Sequence, residues 1–366
     1  MQFSDSETQR LLRTTARSFL ANAYPWDRLY RIESGEERMT EVDLSEIIAL
    51  GWFDLLIPEA SGGAGASLLD AAAIVEEFGY AGVPSPVAAA NVAAYVLSKA
   101  GSPLPQRGRG VGGEGGDLAS RCTISEGARL HADKSSVTIA NGTANGTLPL
   151  VPFADLSAHV LAPVTADSEP VFALLPLRDA AIEPLELLDR RCYSNVRFRN
   201  AEGGIVLTTG AAALELHERC DALSTAFATI ELAGMMQRIL EMTAEHVSTR
   251  QQFGQPIGKF QAARHRAAEI LVQLDTTRWA AYHALWRFEN DTSDTEEIYL
   301  AKHWAIRAVD RVFQNSHMLH GGVGVGMEHP LHLFTQGIAA FAVRGGTMSE
   351  MAQRTLISIR TVPATA

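Results

Sequence analysis

The sequence predicts an α+β chain that is mostly α, with an N-terminal helical domain, a middle β-barrel or sandwich domain and a C-terminal four-helix bundle. Three observations carry this expectation. Apolar residues recur at helical spacing between Ser4 and about Ser102, short β-leaning runs alternate with turn clusters from about Ser120 to Leu207, and long helical patterns resume after Gly210. The boundaries fall at residues 1–118, 119–209 and 210–366. A chain of 366 residues, 46% hydrophobic and 20% charged, is long enough to bury more than one core.

In SETQRLLRTTARSFL the apolar positions Leu11, Leu12, Ala16, Phe19 and Leu20 lie on one helical face. LLDAAAIVEEFGY repeats the pattern and reads as ending at Gly79, where a glycine can cap a helix. Between them GWFDLLIPEASGGAGASL reads as a glycine-rich loop. Residues 103–117 combine Pro and Gly without apolar period, which predicts a flexible connection, and they hold no GxxxxGK[ST] phosphate loop. The runs SSVTIA, AHVLAPV, PVFALL and SNVRF read as strands. Asn141-Gly142 and Asn145-Gly146 are each expected at hairpin turns. Both are also NxT sequons, although the polar opening offers no export signal and glycosylation is not expected. Helical segments at 211–248, 261–290, 293–319 and 347–360 are long enough to bury apolar stripes against one another as an antiparallel bundle.

Composition narrows the function. No apolar run reaches the roughly 18 residues of a membrane-spanning helix, so a cytoplasmic protein without membrane contact is expected. Cys122, Cys192 and Cys220 show no CxxC or CxxH spacing, which argues against a disulfide framework or a zinc site. A net charge of −11 does not supply the basic field that nucleic acid requires. An anionic ligand must then be met locally, and the arginines between Arg250 and Arg287 are where such a contact is expected. His265, within Arg264-His265-Arg266, can face phosphate or belong to a solvated basic helix face. His317 and His320 are three apart, but no neighbouring carboxylate completes a metal set.

Three motifs point to one family. Arg250 opens RQQFGQPIGKFQ, which ends at Gln261; His320 opens HGGVG; and Pro58 opens PEASGG, shortly after Gly51-Trp52. In order and separation they resemble the acyl-CoA dehydrogenase family, strongly across the C-terminal third, well at the N-terminus and weakly in the β region. The resemblance implies FAD as cofactor and an acyl-CoA thioester as substrate. It assigns flavin contact to Arg250, Gln252, Phe253, Ile257 and Gln261, with the site completed by a second subunit. It also places Gly321, Gly322 and Gly324 near the adenine end. The residue types suit such a role: arginine presents a planar fork to pyrophosphate, Phe253 an apolar platform, Gln261 a donor and an acceptor. The same segment also reads as a helix-end arginine with a glycine turn, and the glycine run as a helix cap.

The family reaction is α,β-dehydrogenation, in which a base removes the α proton of the thioester while a hydride leaves the β carbon. Of the two positions where the family carries a carboxylate base, one is Gly345 here, within Val343-Arg344-Gly345-Gly346-Thr347. The other, on the helix leading to Arg250, is Ser224. Neither can act as a base near neutrality. Glu231 lies seven residues after Ser224, on the same face but about 10.5 Å further along, and reads either as a distant base or as an ion-pair partner of Arg264 or Arg266. The catalytic residue is therefore unassigned. The segment at Lys134-Ser135-Ser136-Val137 also departs from the family's pattern, so flavin contacts made there are in question. The expected role is a subunit of a heteromeric dehydrogenase, resembling the branch that lacks the usual glutamate, with an unlike partner carrying the base and an electron-transfer flavoprotein as acceptor. A homo-oligomeric dehydrogenase, a flavin-dependent oxygenase or oxidase, and a non-catalytic partner subunit are the alternatives. Fatty acyl or steroid CoA esters are the substrates the resemblance suggests.

Overall fold

The computed structural model describes residues 4–100, 122–125, 137–290 and 295–361. The Gly-rich connection at 103–117 and the segment Lys134–Ser136 lie outside them. The described chain divides into two compact units. One comprises residues 1–38, 72–83 and 225–366, the other residues 39–71 and 84–224.

The second unit is built on a sheet flanked in sequence by helices. Helix α3 (Glu41–Ala49) starts with a reciprocal cap in which the Thr40 hydroxyl and the Asp43 carboxylate each satisfy the other's backbone N–H. The PEASGG motif folds as a tight turn in which a Cβ on Gly63 would lie 2.3 Å from the Ile57 carbonyl oxygen. Helix α5 (Val87–Lys99) is buried from Ala89 to Leu97, and its Asn91 side chain donates to the Trp52 carbonyl at 2.7 Å. The strands are β1 (Cys122–Ile124), β2 (Thr138–Ala140), β3 (Thr143–Pro152), β4 (His159–Ala166), β5 (Glu169–Pro176), β6 (Ala181–Leu185), β7 (Tyr193–Glu202) and β8 (Ile205–Thr209). Among the described residues the β domain read from the sequence is an eight-stranded sheet in the order β6-β7-β3-β2-β4-β5-β8, with β1 pairing parallel to β4. Val137, Leu148, Val160, Leu175 and Phe198 are among its core residues.

Asn141-Gly142 makes the expected two-residue hairpin between β2 and β3, with φ of 52° and 75°. Asn145-Gly146 does not. It lies inside β3 at a register shift against β7, where Gly146 takes φ 128° and the Asn145 side chain accepts from the Asn200 N–H at 2.8 Å. Local turn chemistry serves a bulge as readily as a hairpin, and only the partner strand separates the two.

The first unit is helical. It contains α1 (Glu7–Ala23), α2 (Trp26–Ser34), most of α4 (Leu68–Ala81), the part of α6 (Gly210–Thr249) from Thr225 onward, α7 (Gln261–Asn290), α8 (Glu296–His320), a short α9 (Gly322–Val325), α10 (Leu331–Val343) and α11 (Met348–Thr361). The four long segments read from sequence are α6, α7, α8 and α11. Helix α10 was not anticipated: LHLFTQGIAAFAV is apolar nearly all round, so it shows no stripe to read, and Leu331, Phe334, Ile338 and Phe341 are all buried in the bundle core.

Gly79 is not a helix cap. Helix α4 continues to Ala81, and Gly82 at φ 70° closes it, with the Val83 N–H bonding Phe78 O and the Gly82 N–H bonding Gly79 O. Gly79 instead lets α4 and α6 touch, since a Cβ there would lie 2.0 Å from the Glu231 carbonyl oxygen; a Cβ on Gly234 would lie 2.1 Å from that of Glu76. Beside this crossing Glu76 is buried and accepts from Arg13 at 2.7 Å, Arg278 at 2.6 Å and Tyr282 at 2.8 Å. Burial alone raises a carboxyl pKa, but Arg13 and Arg278 outweigh it and hold Glu76 below its ordinary range. The adjacent Glu77 binds Arg17 through two N–H groups, at 2.8 and 3.0 Å.

Candidate functional site

Helix α6 ends at Thr249 and the chain turns into a short hairpin before α7. Strand β9 (Gln251–Gln252) pairs with β10 (Gln255–Pro256), Gln252 opposite Gln255, and the Ile257 N–H donates to the Arg250 carbonyl at 2.9 Å. The two-residue turn is Phe253-Gly254, with φ of 52° and 78°. Both central residues are left-handed, as the turn requires, but Phe253 is an unusual occupant, because a bulky side chain is strained there. It is 92% exposed, and its ring meets that of Phe260 edge-on at a centroid distance of 6.0 Å.

The five residues assigned to this segment divide by role. Arg250, Gln252 and Gln261 are exposed, and their side chains make no hydrogen bond or ion pair among the described residues. Ile257 is half-buried and packs on the bundle core, anchoring the hairpin. A Cβ on Gly258 would come within 2.9 Å of the Val247 carbonyl, so the hairpin lies tight against the end of α6. Arg264, not Arg250, binds a carbonyl in this segment, donating to Gly258 O at 2.9 Å. His265 is exposed, as a solvated helix face requires.

The glycine run follows α8. Gly321, at φ 59°, caps the helix through its N–H to His317 O at 2.8 Å, and a Cβ on Gly321 or Gly322 would meet nothing within 4 Å. Their backbone is open to an approaching group. Gly324 is different: it is buried, and a Cβ would lie 2.6 Å from the His320 Cβ, so packing requires it.

An imidazole cluster that sequence reading missed brings the hairpin and the glycine run together. His246 lies one turn before Arg250, whose N–H its carbonyl accepts at 2.9 Å, and its ring stacks on His320 at 4.5 Å between centroids; His329 approaches His320 at 4.9 Å. The His320 Nδ1–H donates to the Ser316 carbonyl at 2.9 Å. Desolvation pushes His246, His317, His320 and His329 below the ordinary histidine range, so the cluster is neutral at pH 7. Among the described residues no group of three His, Cys, Asp or Glu is placed to hold a metal ion. His329 carries no recognisable motif, and only the course of the chain after α9 delivers it.

The two positions for a carboxylate base hold none. Gly345, at φ 75°, and Gly346, at φ 115°, join α10 to α11, and the Thr347–Glu350 reciprocal cap begins α11. The Ser224 hydroxyl donates to the Cys220 carbonyl one turn back, at 2.8 Å. Glu231 is buried, and its Oε2 lies 3.5 Å from Arg344 Nη2. Its ion-pair partner is thus Arg344, not Arg264 or Arg266 as anticipated. Helix α10 returns the chain against α6, where a Cβ on Gly337 would meet Met235 Sδ at 2.9 Å, and Arg344 immediately follows α10. Arg266 instead donates to Asn315 at 2.8 Å.

Two family models match the chain: the acyl-CoA dehydrogenase N-terminal domain over residues 6–107 and the acyl-CoA dehydrogenase C-terminal domain over residues 225–360. Acyl-CoA dehydrogenase FadE27 of Mycobacterium tuberculosis is 28% identical over 327 residues, which span 85% of this chain and 87% of that protein. The ChsE4-ChsE5 complex from Mycobacterium tuberculosis shares the fold with a TM-score of 0.85 at 24% identity, over 100% of both chains. A variant of the Tcur3481-Tcur3483 steroid ACAD does so with a TM-score of 0.83 at 24% identity, over 98% of this chain and 99% of that one.

Proposed function

Because this chain belongs to the acyl-CoA dehydrogenase family, an FAD-dependent family of oxidoreductases, we propose that it is the subunit of a heteromeric dehydrogenase whose unlike partner carries the base. One observation supports this above others. Neither Gly345 nor Ser224 offers a proton acceptor, and Glu231 is paired with Arg344, while the hairpin and the glycine run keep the features a flavin contact needs. Loss of the base beside an intact cofactor surface is what an active site shared between unlike subunits permits. The fold neighbours that are steroid ACAD or two-protein complexes lend support to the same reading, and to a bulky acyl-CoA such as a steroid CoA ester.

In this reading bound FAD supplies the hydride acceptor, and the chain's own residues position it. The fork of Arg250 binds pyrophosphate by charge-assisted hydrogen bonds, Gln252 and Gln261 donate to neighbouring polar atoms, and Phe253 lays its exposed ring against an apolar face. Ile257 holds the hairpin on the bundle, and Gly321 and Gly322 admit the ligand to the backbone while Gly324 keeps the turn packed. The proton acceptor and the thioester polarisation come from elsewhere in the assembly. An electron-transfer flavoprotein is the proposed electron acceptor, and the cytoplasm the proposed location. No helix among the described residues is long and apolar enough to cross a membrane.

Co-expression with acyl-CoA dehydrogenase chains encoded nearby tests the proposal, with bound FAD and acyl-CoA oxidation by an artificial acceptor as readouts. Flavin retention and turnover only in the pair are expected. Reduction of flavin by acyl-CoA in the isolated chain overturns the proposal in favour of a homomeric enzyme, and NADH-driven oxygen transfer overturns it in favour of an oxygenase.

A further inference from the structure

Two adjoining cavities lie in the helical unit, on the side of α6 that carries Arg238. The first encloses about 370 Å³ and is walled by Leu20 and Tyr24 of α1 and its C-terminal cap, Trp26 and Leu29 of α2, and Tyr80 of α4, with Arg17 at its edge. The second encloses about 300 Å³ and is more polar, with His246, Thr249 and His329 in its lining. Trp26 and Arg238 line both, so Arg238 stands where they meet.

The charges around Arg238 decide what such a site accepts. Arg17 is held by two bonds to Glu77 and has no cationic surplus. Arg238 donates one N–H to Tyr80 Oη at 3.1 Å, and its nearest carboxylate, Glu241, is 3.7 Å away. That carboxylate already accepts from the Tyr80 hydroxyl at 2.6 Å and from the Gln237 amide at 2.7 Å. Arg238 is therefore ion-paired with Glu241 without a direct hydrogen bond to it, and its Nε and Nη2 donors make no hydrogen bond among the described residues. Its guanidinium lies 5.1 Å from the Trp26 ring and 5.3 Å from the Tyr80 ring, so two aromatic faces orient it. The remaining charged group of the second cavity is Glu245, an exposed carboxylate that repels an anion there, and His246 and His329 are neutral at pH 7. An anion is thus favoured at Arg238 and its apolar body in the aromatic first cavity. That cavity falls within the size range of small-molecule pockets, roughly 300 to 1,000 Å³, and its apolar walls retain water poorly.

We propose that this cavity is a binding site for a small aromatic or alicyclic carboxylate, its ring body against the lining of Leu20, Leu29 and the ring edges of Tyr24 and Trp26, and its carboxylate on Arg238. The site lies apart from the Arg250 hairpin, none of whose residues lines the first cavity.

Calorimetric titration of the purified full chain with 2-naphthoate, and with the neutral 2-naphthylmethanol, tests the proposal. One-to-one saturable binding of the acid is expected, with the alcohol about tenfold weaker or more, because a charge-assisted bond is lost. Arg238→Gln should weaken the acid by about the same factor. Ala21→Phe, on the exposed rim of the first cavity, should block acid and alcohol alike while leaving the core untouched, and it decides the matter should Arg238→Gln fail to fold. No saturable binding, equal affinity for acid and alcohol, or binding that survives Ala21→Phe overturns the proposal.

Discussion

Phe253 couples backbone strain to ligand contact, and replacing it by asparagine separates the two. A non-glycine residue in the left-handed region costs on the order of 1 kcal/mol, and asparagine tolerates that region better than any aromatic. The substitution forfeits only the edge contact with Phe260, about 0.5 kcal/mol at so exposed a position, since Phe253 is 92% exposed. The balance favours Phe253→Asn in the flavin-free protein by about 0.5 kcal/mol, a rise of about 1 °C in melting temperature for a chain of this size. Flavin contact should move the opposite way. Loss of an aromatic platform is worth about 1 to 3 kcal/mol by analogy with base stacking, so flavin affinity should fall by about fivefold or more. Thermal melts of flavin-stripped protein and the flavin-to-protein absorbance ratio of the assembled enzyme read the two effects. A fall in the flavin-free melting temperature with unchanged flavin content would refute the reasoning and make Phe253 a structural residue.

Other consequences can be checked in the same preparations. Arg250→Ala should lower flavin content more than Arg264→Ala does, because a pyrophosphate contact is worth about 1.5 to 3 kcal/mol whereas Arg264 serves a carbonyl of its own hairpin; equal occupancy would remove the assignment. Gly345→Glu should destabilise the chain by about 1 kcal/mol in denaturant unfolding, since Gly345 sits at φ 75°, and should not by itself confer robust turnover. Glu76→Gln should cost about 3 kcal/mol at pH 7, chiefly by depriving Arg278 of its buried counter-charge, since Arg13 keeps Glu77 at 3.2 Å and Asp5 at 3.0 Å. The pKa of Glu76 in the folded chain lies below that of an ordinary glutamate, so its contribution is complete above the unfolded value and fades as pH falls through the folded one. Unfolding of wild type and variant should therefore converge in acid, and a gap that stays constant into strong acid would contradict the sign. Isolated chain with robust dehydrogenation that Glu231→Gln abolishes, flavin content unchanged, would make Glu231 the base.

The sequence by itself determined the order of helical, β and helical regions, the long helices α6, α7, α8 and α11, the hairpin at Asn141-Gly142, and, through motifs that include the segment from Arg250 to Gln261, the family. Each rests on local information: a 3.6-residue period, a turn that demands positive φ, or a motif contiguous in the chain. Tertiary structure alone decided the rest, because partners far apart in sequence leave no local trace. Gly79 reads as a helix end until Gly234 and Glu231 of α6 are seen against it. Asn145-Gly146 reads as a turn until β7 supplies the register that makes it a bulge. Helix α10 has no stripe because it is surrounded, and that surrounding brings Arg344 to Glu231 in place of the arginines on α7. His246, His320 and His329 become one cluster only when the chain after α8 folds back onto the end of α6. Arg238 becomes a cation between two cavities only when α2 and α4 bring Trp26 and Tyr80 to it.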